Sequence, residues 1–168
     1  MGSSRRTTDI DCKTKSLWTE TMLCVWWDQK GVIYYELLKP GEIVNTERHQ
    51  QQMIDLNEAL REKRPEYQKR QHKVILLRDN APAHTAKPVK ETIEAFSWEI
   101  LSHAAYSPDL APSNYYLFAS LGLPLSDQRF TSYENVRKWF DDWFASKEQQ
   151  FFLAWHPPIA TQVGKMYS

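Results

Sequence analysis

The stretch Lys73-Val-Ile-Leu-Leu-Arg78 decides the fold, because it is a short apolar run between basic flanks and leads directly into Asp79. A run of this length predicts a buried strand, and its lack of alternation favours a parallel one. Residues 87–96 carry apolar side chains at helical spacing, and residues 97–101 predict a second short strand. Strand, helix and strand in this order indicate a right-handed βαβ unit, and hence an α/β fold.

Upstream of this unit, two apolar runs with strand-forming residues flank a short turn. The runs are residues 22–27 and 32–38, and the turn is Asp28-Gln-Lys-Gly31. This arrangement predicts an antiparallel hairpin. A helix should begin at Asn45 or Thr46, both good capping residues, and end before Pro65.

Downstream, residues 112–121 predict a helix, and a further helix follows Ser132. The last helix carries an aromatic and aliphatic stripe at helical spacing, consisting of Val136, Trp139, Phe140, Trp143 and Phe144. Such a stripe indicates a core-facing helix, although a surface for a partner remains an alternative. Residues 1–20 are expected to be irregular, residues 21–152 to form the domain, and residues 153–168 to form a tail without clear periodicity.

Composition limits the classes of function. The 168 residues fit one domain, and 21 basic residues balance 21 acidic ones, which argues against binding of nucleic acid by bulk charge alone. The two cysteines do not form a disulfide framework. Since no apolar run approaches the ~20 residues of a membrane span, and no secretory or other clear targeting signal is seen, we expect no membrane partner.

Acidic and polar residues at the ends of predicted elements could hold metal ions. Asp28 and Asp79 end strands, and Asn114 lies at a helix start. Two-metal phosphoryl chemistry needs such hard oxygen ligands from separate elements. On spacing alone the pattern is weak, because Asp28 is also well suited to the local backbone bonding of a tight turn. His84, in the loop after Asp79, either contacts a phosphate or caps the following helix.

A basic run extends from the predicted helix end towards the Asp79 strand. It consists of Arg61, Lys63, Arg64, Lys69, Arg70 and Lys73. The functional interpretation is contact with a phosphate backbone. The alternative is a solvated helix end and loop, because Glu62 and Glu66 interrupt the run.

Several longer motifs resemble those of mariner transposases of the insect type. They are Trp26-Trp-Asp-Gln-Lys-Gly-Val-Ile-Tyr-Tyr-Glu-Leu-Leu38, Lys63-Arg-Pro-Glu-Tyr-Gln-Lys-Arg-Gln-His72, Asp79-Asn-Ala-Pro-Ala-His84, Tyr106-Ser-Pro-Asp-Leu-Ala-Pro-Ser-Asn114-Tyr-Tyr-Leu-Phe118 and Gln128-Arg-Phe-Thr-Ser-Tyr-Glu-Asn-Val-Arg-Lys-Trp139. The likeness runs almost unbroken from Met22 to Phe152. It implies an RNase H-like catalytic domain of the DDE transposase and integrase type, with a mixed sheet and flanking helices.

The resemblance also implies a site. Mariner transposases cut and rejoin DNA with three acids and Mg²⁺; the second acid corresponds to Asp79 and the third to Asn114, where active members carry Asp. Asn can offer a carbonyl oxygen but no charge, so weak binding of Mg²⁺, or of Mn²⁺ by preference, is expected. No small-molecule cofactor is implied.

This sequence departs from the family pattern at both ends. The first acid and its strand, which the family places centrally between the hairpin and the Asp79 strand, have no match here. Neither have the two helix-turn-helix domains, and the tail after Phe152 is unlike the family. Losing the first strand would leave two half-sheets with unpaired edges, unless residues 7–18 or a partner supplied a strand.

The resemblance therefore predicts a truncated or degenerate mariner copy, a relic catalytic domain with little or no activity. The alternative is a non-catalytic DNA- or protein-binding module, and a third hypothesis is a metal nuclease that uses Asp28 in place of the missing acid. The expected partners are DNA, bound weakly and without sequence preference, and a second copy in a homodimer. The resemblance implies a nuclear location.

Overall fold

The computed structural model describes residues 21–66, 74–79, 82–103, 117, 119–153 and 160–165, with side chains excepted at 77–79, 101–103 and 160–165. Five strands are present in this part: β1 Met22–Asp28, β2 Gly31–Leu38, β3 Ile75–Asp79, β4 Glu99–His103 and β5 Ala160–Lys165. Six helices accompany them: α1 Thr46–Lys63, α2 Pro82–Thr85, α3 Lys87–Ala95, α4 Ala119–Ser126, α5 Tyr133–Ser146 and α6 Gln149–Leu153. Among the described helices, none is long and apolar enough to cross a membrane.

The strands form one mixed sheet in the order β2-β1-β5-β3-β4. β1 is antiparallel to both β2 and β5, and β3 is parallel to both β4 and β5. The predicted hairpin and the predicted βαβ unit are therefore confirmed. The strand expected at residues 97–101 lies two residues later, because the chain first turns at Ser97, which adopts a positive φ of 60°.

The strand β5 was not expected from the sequence. It lies between β1 and β3 and pairs with both, so within the described residues the two halves of the sheet are joined rather than left with open edges. The tail expected over residues 153–168 thus contributes a central strand. The segment 7–18, considered as a substitute for that strand, lies outside the described residues.

The turn between β1 and β2 depends on its first and last residues. The backbone N–H of Lys30 donates to Oδ1 of Asp28 at 2.9 Å, which is the local bonding expected of an Asp at this place. Gly31 has a φ of +131°, where a side chain would be strained, and a Cβ there would lie 3.6 Å from the Phe152 ring. The chain can therefore reverse here and still pack closely against α6.

The helix α1 begins and ends where its capping residues predict. The Oδ1 of Asn45 accepts the backbone N–H of Arg48 at 2.8 Å, and the backbone N–H of Arg64 donates to the Leu60 carbonyl at 2.9 Å. Met53, Leu56 and Leu60 are buried on one face. This face packs on the sheet, and it brings the end of the helix beside the β1–β2 turn.

The sheet has a hydrophobic core on each side, and β1, in which every residue from Leu23 to Asp28 is buried, contributes to both. Leu23, Val25 and Trp27 belong to the core beneath α4, α5 and α6. Cys24 and Trp26 belong to the core beneath α1 and α3. Alternation along a strand places successive residues on opposite faces, so the sheet lies between two layers of helices.

The stripe predicted on the last long helix packs mainly into the first of these cores. Val136, Phe140 and Trp143 are buried, and Trp139 and Phe144 pack against them as partly buried neighbours. The core-facing interpretation of the stripe is confirmed. The helix expected over residues 112–121 is described only from Ala119, because residues 112–116 lie outside the described part.

Candidate functional site

The carboxyl ends of β3 and β4 lie side by side at one end of the sheet, where α/β folds generally bind ligands. Asp79 is the last residue of β3, and its register partner on β4 is His103. The short helix α2 follows at Pro82. Asp79 therefore has the position expected of a site residue, whereas Asn114, the second predicted residue, lies outside the described part of the chain.

His84 on α2 is buried against α1. Its ring centroid lies 4.3 Å from that of His49, and only 7% of the residue is exposed. Packing of this kind leaves little of the ring for a phosphate. We therefore assign His84 a part in joining α2 to α1.

Asp28 lies towards the opposite end of the strands from Asp79. Trp27, Ala160 and Leu77 are at the same level across β1, β5 and β3. Asp28 is one residue from that level in one direction, and Asp79 is two residues from it in the other. Three residues along the strands and two strand spacings give a Cα separation of about 14 Å. Ions of a two-metal site are only about 4 Å apart, so Asp28 does not join Asp79 in such a site.

Both carboxylate oxygens of Asp28 are also occupied by Arg64. The Nε of Arg64 donates to Oδ2 and an η nitrogen donates to Oδ1, each at 2.8 Å. Asp28 is 4% exposed and Arg64 is 9% exposed. A two-point ion pair in a buried position fixes the carboxylate in place. Asp28 is thus a structural residue that fastens the turn to the end of α1, and the nuclease hypothesis that required it loses its acid.

The predicted basic run divides into residues with different environments. Arg61 and Lys63 are exposed in the last turn of α1, and Arg64, directly after it, is buried against Asp28. Lys69, Arg70 and Lys73 lie outside the described residues. In the described part, Arg61 and Lys63 are therefore exposed to solvent, whereas Arg64 is engaged inside the protein.

A polar network on β2 and α1 was missed by sequence reasoning. Glu36 accepts from Arg48 at 3.1 Å and from the amide of Gln52, and His49 Nδ1 lies 3.1 Å from Oε1 of Gln52. Nearby, burial raises the pKa of the Cys24 thiol to about 12, so this thiol stays protonated and unreactive at neutral pH. The one signal in the sequence was a glutamate within an otherwise apolar strand. The network joins α1 to the hairpin, and its Arg48–Glu36 ion pair is partly buried.

The described side chains do not fit a metal centre by themselves. Among them, no group of three or more His, Cys, Asp or Glu residues is placed to hold an ion. Both carboxylate oxygens of Asp28 accept hydrogen bonds from Arg64. The strand β5, which lies next to the Asp79 strand, contains no acidic residue. Of the two predicted metal ligands, Asp79 lies in the described backbone and Asn114 lies outside it.

Comparison with known proteins gives consistent matches. Residues 5–70 match the family described as "Transposase (partial DDE domain)". The chain is 68% identical over 133 residues to the Mariner Mos1 transposase of Drosophila mauritiana, which covers 79% of this chain and 39% of that protein. The chain thus spans well under half of this relative.

Solved structures of the Mos1 protein match as well. The Mos1 transposase catalytic domain with Raltegravir and Mn superposes with a TM-score of 0.77 at 68% identity, over 80% of this chain and 67% of that one. A Mos1 transposase paired-end complex with the left transposon end superposes with a TM-score of 0.74 at 64% identity, over 80% and 38% of the two chains. The described fold is accordingly RNase H-like.

Proposed function

This chain belongs to the mariner family of transposases, and from that premise we propose that it is a relic catalytic domain with little or no ability to cut and rejoin DNA. The observation that carries the proposal is the state of the acidic positions. Asp79 is the last residue of β3, the residue at the proposed third position is Asn114, and Asp28 is paired with Arg64 at the opposite end of the sheet. Asp79 and Asn114 together supply one carboxylate, which is not enough negative charge to hold two divalent ions close together.

Asp79 and Asn114 would bind Mg²⁺ or Mn²⁺ weakly in this proposal. Bound ions in such a site activate the attacking oxygen and stabilise the leaving one. The chain's own contribution is one charged and one neutral oxygen ligand from separate elements. Replacing a carboxylate by an amide lowers the affinity for a hard cation, because the charge and the two-oxygen mode of binding are lost.

DNA is the proposed partner, through the exposed part of the basic run. Arg61 and Lys63 project from the last turn of α1, and Lys69, Arg70 and Lys73 follow in the sequence. Contacts from such residues to phosphates carry no sequence information, so binding is weak, salt-dependent and without sequence preference. A homodimer and a nuclear location complete the proposal, in keeping with the paired-end complex of the Mos1 relative.

A second candidate is a non-catalytic DNA- or protein-binding module. It is favoured by one observation, namely that Arg64 secures the α1 end to the turn while Arg61 and Lys63 remain exposed on that secured end. A fold kept rigid next to exposed cations suits binding without cleavage. Under this candidate even Asn114→Asp would add no cleavage.

The test is a plasmid-nicking assay in Mn²⁺ together with DNA binding at two salt concentrations. The parent, Asn114→Asp, Asp79→Ala and the double variant Asn114→Asp with Asp79→Ala are compared. We expect the parent to bind DNA less tightly at higher salt and to leave the plasmid intact. If the parent nicks the plasmid and Asp79→Ala abolishes this nicking, the proposal of an inactive catalytic domain is wrong. If the parent does not bind DNA, the proposal that DNA is its partner is wrong.

A further inference from the structure

The strand β5 is the only described strand that pairs with both halves of the sheet. It runs antiparallel to β1 over six residues, and it is parallel to β3. On one side lies the hairpin β1–β2, and on the other the pair β3–β4. The sheet is therefore completed by residues 160–165, a segment that follows all the described helices in the sequence.

The register places one residue of β5 beside Asp79. Leu77 and Ala160 form the register pair that joins β3 to β5, and continuing this register by two residues along each strand makes Gln162 the position level with Asp79. The pairing with β1 shows on which face of the sheet this position lies. Gln162 is paired there with Val25, which belongs to the core beneath α4, α5 and α6.

The same face is reached from β3. Leu76 belongs to the opposite core, beneath α1 and α3, so alternation puts the position of Asp79 on the face of Val25. The positions of Asp79 and Gln162 therefore share one face of the sheet, and Leu117, three residues after Asn114, is buried in the core on that face.

We propose that β5 restores the sheet without restoring a cation site, because Gln162 occupies the position beside Asp79 where a second carboxylate would complete a pair of ligands for a divalent cation. This inference rests on the proposed role of Asp79 as a metal ligand. Positions facing each other on neighbouring strands have Cβ atoms about 5 Å apart, which is close enough for two carboxylates to share one ion. Glutamine at this position supplies no charge, so the single charge of Asp79 holds the ion poorly.

The experiment replaces Gln162 by Asp and by Asn, two residues that are equal in size to each other but differ in charge. Binding of Mn²⁺ is measured without DNA, from the electron paramagnetic resonance signal of the free ion, for the parent, Gln162→Asp and Gln162→Asn. We expect Gln162→Asp to raise the affinity for Mn²⁺ about tenfold or more, because a carboxylate replaces a neutral group. Gln162→Asn should leave the affinity unchanged, since it matches the shape of Asp without its charge.

Two further variants locate the effect. Thr161→Asp puts the same charge one residue away, on the other face of the sheet by alternation, and should give no gain. Combining Gln162→Asp with Asp79→Ala should abolish the gain. An unchanged affinity in Gln162→Asp, an equal gain in Thr161→Asp, or a gain that survives Asp79→Ala would each overturn the proposal.

The register itself is tested on a separate variant, so that a poorly folded Gln162→Asp protein does not decide the matter. Leu77→Cys with Ala160→Cys places two thiols at paired positions, where Cα atoms of neighbouring strands suit a disulfide. Mild oxidation should link these positions, identified by peptide mass, and should not link Leu77→Cys with Thr161→Cys. Absence of the first link would overturn the assignment of β5. Failure of the proposed function would be seen as nicking by the parent or as loss of DNA binding. Neither of these is measured in the metal-binding and cross-linking experiments.

Discussion

The two ends of the sheet treat an acidic residue at a strand end in different ways. At the end with the β1–β2 turn, Asp28 is buried and both of its oxygens accept hydrogen bonds from Arg64. At the other end, Asp79 is the last residue of β3, and Gln162 is the β5 position level with it when the register of the Leu77–Ala160 pair is continued. An acidic residue at a strand end is therefore structural where a packed helix end places a cationic side chain beside it. The direction of the strands decides which acidic residues can lie close together.

The largest effect should come from breaking the ion pair at the turn. Arg64→Ala leaves the buried carboxylate of Asp28 without its counter-charge, which costs about 3–5 kcal/mol in the free energy of unfolding. Urea unfolding measures this loss. The matched control is Arg61→Ala, three residues earlier and exposed, which should change the stability by less than about 0.5 kcal/mol. Equal effects of the two substitutions would show that the pair does not hold the turn.

The next effect concerns the other end of the sheet. Asn114→Asp adds a second carboxylate to the proposed site and should raise the affinity for Mn²⁺ by about tenfold, or about 1.4 kcal/mol. Titration calorimetry with Mn²⁺ measures this change. Asp28→Asn is a control at the turn end, where no gain in affinity is expected because Asp28 is about 14 Å away from Asp79. A tight Mg²⁺ site in the parent would contradict this prediction.

Local patterns were sufficient to predict the elements that build the turn end and the strand that carries Asp79. The Asp28-Gln-Lys-Gly31 turn, the helix beginning after Asn45 and the apolar β3 run each carry their signal within a few neighbouring residues. The role of Arg64 could not be predicted in this way, because its partner lies 36 residues away and only the packing of α1 brings them together. The basic run, which was interpreted as an exposed surface, thus includes one buried residue, Arg64.

The strand β5 could not be predicted for a related reason. Ala160-Thr-Gln-Val-Gly-Lys165 has neither a strong alternation nor a run of strand formers, and it includes a glycine. Its conformation follows from the two strand edges on either side of it, β1 and β3, which offer unpaired backbone groups to any segment that reaches them. Tertiary pairing outweighs local preference here, and it also decides which residue lies beside Asp79.

A smaller effect is expected on DNA binding. Lys63→Ala removes one exposed cation at the end of α1 and should lower the salt dependence of binding by about one unit of slope, for every DNA sequence alike. Fluorescence anisotropy with a labelled duplex at several salt concentrations measures the slope. Lys30→Ala removes a cation on the neighbouring turn that is already paired with Glu66, so it serves as a comparison and should change the slope less. A loss confined to one DNA sequence would show base readout instead.

The smallest effect is expected from the second ion pair at the turn, and it isolates what burial contributes. Lys30 and Glu66 also join the turn to the segment after α1, but their side chains are 56% and 31% exposed, against 10% and 6% for Arg64 and Asp28. The hydrogen bond from Lys30 lowers the pKa of the Glu66 carboxyl, so any contribution is present above the ordinary pKa of that group and is lost as the pH falls. Because water and salt screen this pair, Glu66→Gln at pH 7 should leave the urea midpoint within experimental error of the parent, at low salt and at high salt. Arg64→Ala, measured beside it, should keep its large destabilisation at both salt concentrations. If Glu66→Gln destabilised the protein as much as Arg64→Ala, the attachment of the turn would depend on the number of ion pairs and not on their burial.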